Sequence, residues 1–257
     1  MKQDIYCGTD KPIGSVELLD SMGDDNRIVD AARVSFAKQA SQFTEKQNYN
    51  LLRYLWRNKH TGPFEQVVFY FRIKAPLFVA RQWFRHRTAR PNEISRRYVD
   101  AEPELYSPEM RARGSSNKQG SADELIQHAK AGTDLVDHLQ TRALDTYQEL
   151  LQLNVAPEVA RGVLPMNMMT EFVWQMDLHN LLHFISLRID DHAQKEIRVF
   201  AEALLDQARI VAPEACEVFM TYNNIDSVVL QLKNTDRFKK DPEAFLTALK
   251  LMLRKEM

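Results

Sequence analysis

The chain has 257 residues, of which 44% are hydrophobic and 27% are charged, and its formal net charge is −1. This composition is ordinary for a globular protein with a sizeable core, and the near-neutral charge argues against a general nucleic-acid coat, which carries a basic excess. The most apolar stretch, residues 67–80, is interrupted by Arg72, Lys74 and Pro76 and is too short to cross a bilayer. We therefore expect neither a membrane nor a nucleic acid as partner.

The two cysteines, Cys7 and Cys216, form neither a CxxC pair nor a metal-binding spacing. The opening residues MKQDIYCGTDK also lack the apolar segment of a secretion signal, so we expect a reduced, cytoplasmic setting. Cys216 has no basic neighbour in APEACEVF, which favours a buried thiol over an activated nucleophile.

The first 60 residues predict mostly helices after a short strand at 15–19. Asp30 is placed to begin one helix, and the apolar spacing in residues 45–58 predicts another. Residues 66–74 then alternate between apolar and polar side chains, which predicts a strand with one buried face.

Pro76 fits the first turn of a helix, which we expect to extend to about Thr88. Pro91 ends this helix because a proline disfavours helical geometry in the residue before it. Residues 92–95 are then predicted to form a loop, and residues 96–99 a short extended segment.

The segment 102–120 is rich in proline, serine, glycine and arginine and predicts a mobile surface loop. Ser121 and Glu124 have the spacing of a capping box, which predicts a long helix from there to about Leu153. Asp177 and Asp191 are candidate caps for later helices. The remaining predicted elements are a helix at 157–161, a strand at 170–176, and helices at 178–188 and 192–211.

Strands and helices do not alternate regularly along the chain, and the predicted strands are amphipathic. The pattern therefore favours an α+β fold, in which mixed helices pack on a small, mainly antiparallel sheet. Residues 1–224 are expected to form one domain, followed by an amphipathic tail at 225–257.

Residues 81–98 contain six arginines, one histidine, one glutamate and no lysine. Arginine supplies planar, forked donors that match oxyanions or flat heteroaromatic edges. The chain has only eight glycines and no glycine-rich phosphate loop, so side chains must hold any phosphate. Ser95 and Arg97 are candidates for that contact, and Glu93 could orient an arginine. The alternatives are a solvated basic helix end, or a nucleic-acid module that stacks bases on Trp83, Phe84 and Tyr98.

A second polar cluster lies between Asp177 and His192. His179 and His183 have the i, i+4 spacing of metal ligands, but no third ligand accompanies them, so we predict no metal site. Arg188 follows an apolar run and could emerge into a cleft, or it could pair with a neighbouring aspartate. Arg161 and His60 are further candidates. The alternative role of Arg161 is a structural salt bridge, and that of His60 is a loop or cap residue.

These residues fall into blocks that resemble the flavin-dependent thymidylate synthases. Arg85-His86-Arg87, separated by seven residues from Ser95, matches the family's signature. The similarity runs in order from about Ala31 to Phe219, outside the segment 102–120. The matching blocks are HTGPFEQVVFYF at 60–71, APLFVARQWFRHR at 75–87, NEISRRY at 92–98, PEVARGVLP at 157–165 and LLHFISLRIDDHAQKEI at 181–197.

The resemblance implies a homotetramer that methylates deoxyuridylate (dUMP) to thymidylate (dTMP), with active sites where subunits meet. Methylenetetrahydrofolate would be the carbon donor, and FAD reduced by NADPH would supply the hydride. A flavin enzyme acting on another pyrimidine remains the alternative within the same fold.

The resemblance also assigns site residues by position. Arg188 matches the arginine that polarises the uracil ring at N3. Asp177 stands where the family pattern has asparagine, and a carboxylate only accepts hydrogen bonds. The residues implied to contact the flavin are His60, Gly62, Arg85, His86, Arg87, Glu93, Asp177, Leu178, His179 and His183. The residues implied to contact the nucleotide are Gln82, Trp83, Phe84, Arg85, Glu93, Ile94, Ser95, Arg96, Arg97, Arg161 and Arg188.

Overall fold

The computed structural model describes residues 2–98, 102–114, 120–233, 241–243 and 247. Within these ranges the strands are β1 (Lys2–Ile5), β2 (Gly14–Met22), β3 (Val68–Pro76), β4 (Arg90–Glu93), β5 (Arg111–Arg113), β6 (Ser121–Leu125) and β7 (Met169–Asp177). The helices are α1 (Asp25–Arg33), α2 (Glu45–Arg57), α3 (Leu77–Trp83), α4 (Ala129–Gln152), α5 (Pro157–Ala160), α6 (Leu178–Arg188), α7 (Lys195–Val211) and α8 (Pro213–Lys233).

Five strands form one sheet in the order β1-β2-β3-β7-β4, and each neighbouring pair is antiparallel. The alternation predicted for β3 is confirmed, because Phe69, Phe71 and Ile73 are buried on one face. Phe172 and Trp174 of β7 lie opposite Ile73 and Phe71 on that same buried face. Helices pack on this sheet, so the α+β architecture with a small antiparallel sheet is confirmed.

Trp83, the last residue of α3, lies at the centre of the core. Its ring is 5.4 Å from that of Phe172, 5.2 Å from Trp174, 4.9 Å from Phe184 and 5.7 Å from Phe200. Aromatic pairs at such separations add to the stability given by burial alone. The indole therefore fixes the end of α3 against β7, α6 and α7, and places the following turn.

The region after α3 differs from the prediction. The helix ends at Trp83 rather than near Thr88, and residues 90–93 form strand β4 instead of a turn and loop. Pro91 lies opposite Trp174 on this edge strand, a position where a missing backbone donor is tolerated. Residues 96–98 form a turn rather than an extended segment, while Val99 lies outside the described residues.

The segment 102–120 was expected to be a mobile surface loop. Residues 102–110 have no regular secondary structure apart from a bridge between Leu105 and Met168, but parts of the segment pack against the rest of the fold. The Glu104 carbonyl accepts a 2.7 Å hydrogen bond from the amide of Met169, and Tyr106 is buried. Strands β5 and β6 form a separate antiparallel pair, so Ser121 and Glu124 lie in a strand. The long helix α4 therefore begins only at Ala129, although it ends beside Leu153 as predicted.

Two predicted helix caps also lie elsewhere. Helix α1 begins at Asp25 with Asp24 as its cap, so Asp30 is inside the helix, where it accepts from the amide of Ala40. Helix α7 begins at Lys195, and Asp191 instead pairs with Arg198 at 2.8 Å. Strand β1 was not predicted. The helix at 157–161 is observed as α5, continued by a 3₁₀ turn.

Helix α8 runs through the boundary that we placed at residue 224, and most residues after 233 lie outside the described part of the chain. Among the described residues, no helix combines the length and apolar character needed to span a membrane.

Candidate active site

Four polar side chains meet where the turn after α3 approaches α6. We call Arg85, His86, His183 and Arg188 the arginine cluster. The turn is held by hydrogen bonds from the Arg85 amide to the Gln82 carbonyl at 3.3 Å and from the His86 amide to the Trp83 carbonyl at 3.0 Å. The rings of His86 and His183 are 6.0 Å apart. Two segments about a hundred residues apart in the sequence are thus brought together.

Arg188 carries a positive charge that no acid among the described residues neutralises. Burial and the adjacent charge of Arg85 both lower the pKa of its guanidinium. Its Nε is buried and has no hydrogen-bond partner among the described residues. A buried donor without a partner is costly, so this position suits a ligand that accepts a hydrogen bond and carries negative charge.

The alternative role of Arg188, an ion pair with a neighbouring aspartate, is not observed in the described part of the chain. Asp190 instead contacts His192 at 2.7 Å, and Asp191 pairs with Arg198. Both acids therefore have partners outside the arginine cluster.

His86 is held in its neutral form. Burial, together with the charges of Arg188 and His183, lowers the pKa of its imidazole from 6.5 to about 4. Its ring also packs against Phe184, with centroids 4.7 Å apart. A neutral imidazole can accept a hydrogen bond at one nitrogen and donate at the other.

This state of His86 gives a testable expectation. In nitrogen-15 NMR of the ligand-free protein, the His86 imidazole should titrate near pH 4. Arg188→Met should move the midpoint upward, because it removes a cation that disfavours imidazolium. An anionic ligand bound at Arg188 should raise the midpoint too, because it adds negative charge near the imidazole. A midpoint at or above 6.5 in the wild-type protein would contradict the assignment.

A cleft of about 440 Å³ opens beside the arginine cluster, between the end of α2, α6 and α8. We call it the histidine cleft, because His60, His179 and His183 line it. His183 belongs to both sites. None of the residues that line the cleft is an aspartate or glutamate. The full lining is Leu55, Trp56, Arg57, Lys59, His60, Thr61, Phe64, His179, Leu182, His183, Ser186, Phe219, Tyr222 and Asn223.

The histidine cleft combines an apolar aromatic wall with a few polar groups. Trp56, Phe64 and Phe219 form an apolar wall, in which the Trp56 ring lies 5.4 Å from Phe64 and 5.6 Å from Phe219. The Nδ1 atom of His179 is buried and unpartnered within the described ranges, so it remains available to a ligand. Apolar walls with a few convergent polar groups are typical of cofactor sites.

Three other candidate flavin residues shape the surroundings. Asp177 caps α6, and its two carboxylate oxygens accept from the backbone amide of Asn180 at 2.9 Å and from its side chain at 2.7 Å. Leu178 is buried, and its amide donates to the Val67 carbonyl at 2.8 Å. Both residues therefore orient α6. Gly62 is exposed and faces open space.

The candidate nucleotide loop follows β4. Glu93 accepts a 2.6 Å hydrogen bond from the hydroxyl of Thr170, a residue that the sequence had not singled out. The Ser95 hydroxyl accepts from both the amide and the Nε of Arg97 at 3.4 Å. The Arg97 guanidinium also lies 4.9 Å from the ring of Tyr98. The Ile94 amide donates to the Glu171 carbonyl at 2.9 Å, which anchors the loop to β7, and Arg96 is half-buried in the turn.

The remaining candidates are dispersed in a single chain. Trp83 is fully buried, and Phe84 packs on Phe172 with centroids 4.8 Å apart. Gln82 donates to Gln194 at the start of α7. Arg87 and Arg161 are exposed. Within the described residues, no hydrogen bond or ion pair connects Arg161 or Arg97 to the arginine cluster.

Neither cysteine thiol is set up to act as a nucleophile. Both cysteines are buried and unpaired, as predicted for Cys216. Burial raises the pKa of Cys7 to about 11 and that of Cys216 to about 12. In the ranges that the structure describes, no group of three or more side chains is arranged to hold a metal ion.

The fold and the site together define an α+β protein in which an arginine pair without an acidic partner lies beside an apolar, acid-free cleft, as suits an anionic, aromatic ligand. Residues 17–214 match the family described as thymidylate synthase complementing protein. The chain belongs to this family of flavin-dependent thymidylate synthases.

Relatives and solved structures agree with this membership. The flavin-dependent thymidylate synthase of Treponema denticola is 47% identical over 212 residues, covering 80% of this chain and 79% of that protein. A Thermus thermophilus enzyme of the same name is 47% identical over 207 residues, covering 80% and 75%. The UMP/dUMP methylase PolB of Streptomyces cacaoi, bound with 5-Br dUMP, superposes with a TM-score of 0.74 at 30% identity, covering 80% of this chain and 94% of PolB.

Proposed function

We propose that this chain catalyses the reductive methylation of dUMP to dTMP with a bound FAD, in the cytoplasm. The observation that carries the proposal is the Arg85–Arg188 pair, whose charge no described acid offsets and which adjoins an acid-free cleft through His183. The names of the relatives and of the solved methylase support the same reaction.

Arg188 is proposed as the catalytic residue. Its Nε–H is a preorganised donor in a half-buried site, where electrostatic interactions are stronger than in water. Placed against the N3/O2 edge of uracil, the guanidinium stabilises negative charge on the ring. Charge delocalised in this way makes C5 more nucleophilic, so that C5 can take up a one-carbon unit.

This route needs no cysteine. A thiol attack on C6 requires a thiolate, and burial raises the pKa of both thiols far above neutral. The activating charge therefore comes from arginine, and the nucleotide is held by polar contacts alone. Glu93, fixed by Thr170, and the Ser95–Arg97 loop are the proposed contacts to sugar and phosphate.

The residues of the histidine cleft fit a flavin, and His60, His179 and His183 would hold it together with Arg85, His86 and Arg87. When bound, the flavin supplies the hydride that completes the methyl group. Gly62, two residues after His60, has open space where a side chain would begin.

The finer features of the proposal follow the family resemblance. We propose methylenetetrahydrofolate as carbon donor, NADPH as reductant and a homotetramer as the working form. The dispersion of Arg97 and Arg161 in one chain supports an active site shared between subunits, because each is exposed and available to a neighbouring copy.

The first test is direct. Purified protein supplied with FAD should show a flavin spectrum that NADPH bleaches and air restores. With methylenetetrahydrofolate present, dUMP tritiated at C5 should release tritium to water, because methylation displaces the C5 proton. Protein that binds no FAD, or that releases no tritium when fully reduced, would overturn the proposal.

One observation favours a second candidate substrate. The solved methylase PolB is described as acting on UMP as well as dUMP, and its structure bound with 5-Br UMP superposes on this chain with a TM-score of 0.72. Tritium release should therefore be compared for dUMP, UMP and dCMP labelled at C5. Preference for dUMP supports thymidylate synthesis, whereas preference for UMP or dCMP reassigns the substrate on the same fold.

A further inference from the structure

The rim of the histidine cleft carries two cations that the family blocks do not include. Arg57 is the last residue of α2, and Lys59 follows two residues later in a left-handed conformation, with φ of 58°. Both side chains are exposed, and neither forms a hydrogen bond or ion pair with another described residue. Arg57 and Lys59 thus offer fixed positive charge at the mouth of the cleft.

A second depression continues from this rim along the outer face of α2. It encloses about 240 Å³ and shares Arg57 and Tyr222 with the histidine cleft. Its remaining lining residues are Asn50, Arg53 and Tyr54. Arg53 and Arg57 are four residues apart, so they lie on one face of the helix. This depression, like the cleft, has no acidic lining residue.

The histidine cleft, its cationic rim and the second depression lie in the same order as the reactive ring, the diphosphate and the adenosine of a dinucleotide. The cleft offers an apolar aromatic wall, the rim offers cations, and the depression offers Tyr54 and Tyr222 beside Arg53. The Tyr54 ring also touches His60 edge-on, with centroids 5.7 Å apart, so the two surfaces are continuous. A diphosphate favours guanidinium and ammonium donors at a solvated edge.

We propose that Arg57 and Lys59 bind the diphosphate of a dinucleotide whose reactive ring occupies the histidine cleft, with its adenosine half along the Arg53 depression. This inference rests on the proposed function. The diphosphate could belong to the flavin or to the nicotinamide reductant, because both dinucleotides carry one.

The test compares Arg57→Gln/Lys59→Gln with wild type and with Lys46→Gln as a matched control. Lys46 is an exposed cation in the first turn of the same helix, about 16 Å from Arg57 at 1.5 Å per residue. Affinity for FAD, FMN and riboflavin is measured by quenching of flavin fluorescence, which needs no turnover. The dissociation constant of NADPH is measured by stopped-flow reduction of the flavin-loaded proteins.

If the site holds the flavin diphosphate, the double variant should bind FAD about 100-fold more weakly, because each charged hydrogen bond contributes about tenfold or more. Riboflavin affinity should be unchanged, and Lys46→Gln should behave as wild type. Unchanged FAD affinity with about 100-fold weaker NADPH binding assigns the site to the reductant.

Equal FAD and NADPH affinities in the double variant and the wild type would overturn the inference while leaving the proposed function intact. A similar loss in Lys46→Gln would overturn it too, because the effect would then reflect general charge. Failure of the wild-type protein to bind any flavin would instead remove the proposed function.

Discussion

Replacing Arg188 by alanine is expected to lower kcat by about 10²–10³-fold, the usual cost of removing one preorganised donor from a developing charge. FAD should remain bound, because Arg188 is not among the flavin contacts proposed above. The measurement is tritium release from C5-labelled dUMP under saturating substrates, together with the flavin absorbance of the purified variant.

Two further variants sharpen this result. Arg188→Lys keeps the charge but loses the planar fork, so it should recover only part of the activity. Arg198→Ala removes an arginine of the following helix that pairs with Asp191, and it should turn over normally. Full activity in Arg188→Ala would remove Arg188 from the catalytic role. Loss of flavin from that variant would reassign it to cofactor binding.

Replacing Arg111 by methionine should lower the free energy of unfolding by about 3–5 kcal/mol, the typical cost of removing one partner from a buried ion pair. Arg111 is only 6% exposed and pairs with Glu196, which is 2% exposed, and with Glu109 at 3.4 Å. Burial opposes its charge, but the hydrogen bond and charge of Glu196 outweigh that effect and raise the pKa of the guanidinium. The substitution would leave the carboxylate of Glu196 buried without its cation, while Glu109 keeps its 3.1 Å pair with Lys195. Urea unfolding monitored by tryptophan fluorescence provides the measurement.

Arg72→Met is the matched control for this prediction. Arg72 pairs with Glu17 at 3.3 Å, but the two side chains are 48% and 29% exposed. Its loss should cost about 0–1 kcal/mol, as for other solvent-exposed pairs. Equal destabilisation by the two substitutions would show that the Arg111 network contributes no more than a surface pair.

The sheet could be predicted from sequence where its strands bury one face. In β3 and β7, large apolar residues recur at every second position. A period of two is characteristic of a strand with one buried face. Strands β4 and β6 could not be predicted in this way. Arg90–Glu93 is exposed throughout, and it becomes a strand only because β7 offers an edge to pair with. Whether these residues form a strand therefore depends on β7, which lies some eighty residues away in the sequence.

The same distinction holds for the site. The arginine-only segment and the residues around Arg188 could be chosen from sequence, because residue type and motif spacing are local properties. Arg57, Lys59 and Tyr222 could not, since their position on the cleft depends on how α2 and α8 pack. The only local indication of this cationic rim was that two basic residues, Arg57 and Lys59, come shortly before His60. Thr170 was also missed, because its role depends on the pairing of β4 with β7, which places its hydroxyl beside Glu93.

The account depends on Arg188 polarising a bound uracil ring without help from a thiol. The most direct measurement is NMR of dUMP labelled with nitrogen-15 at N3, bound to the FAD-loaded protein near neutral pH. A shift of the N3 resonance toward the deprotonated form, reversed by Arg188→Met, is the predicted result. An N3 that keeps its proton and is unaffected by Arg188→Met would contradict the account.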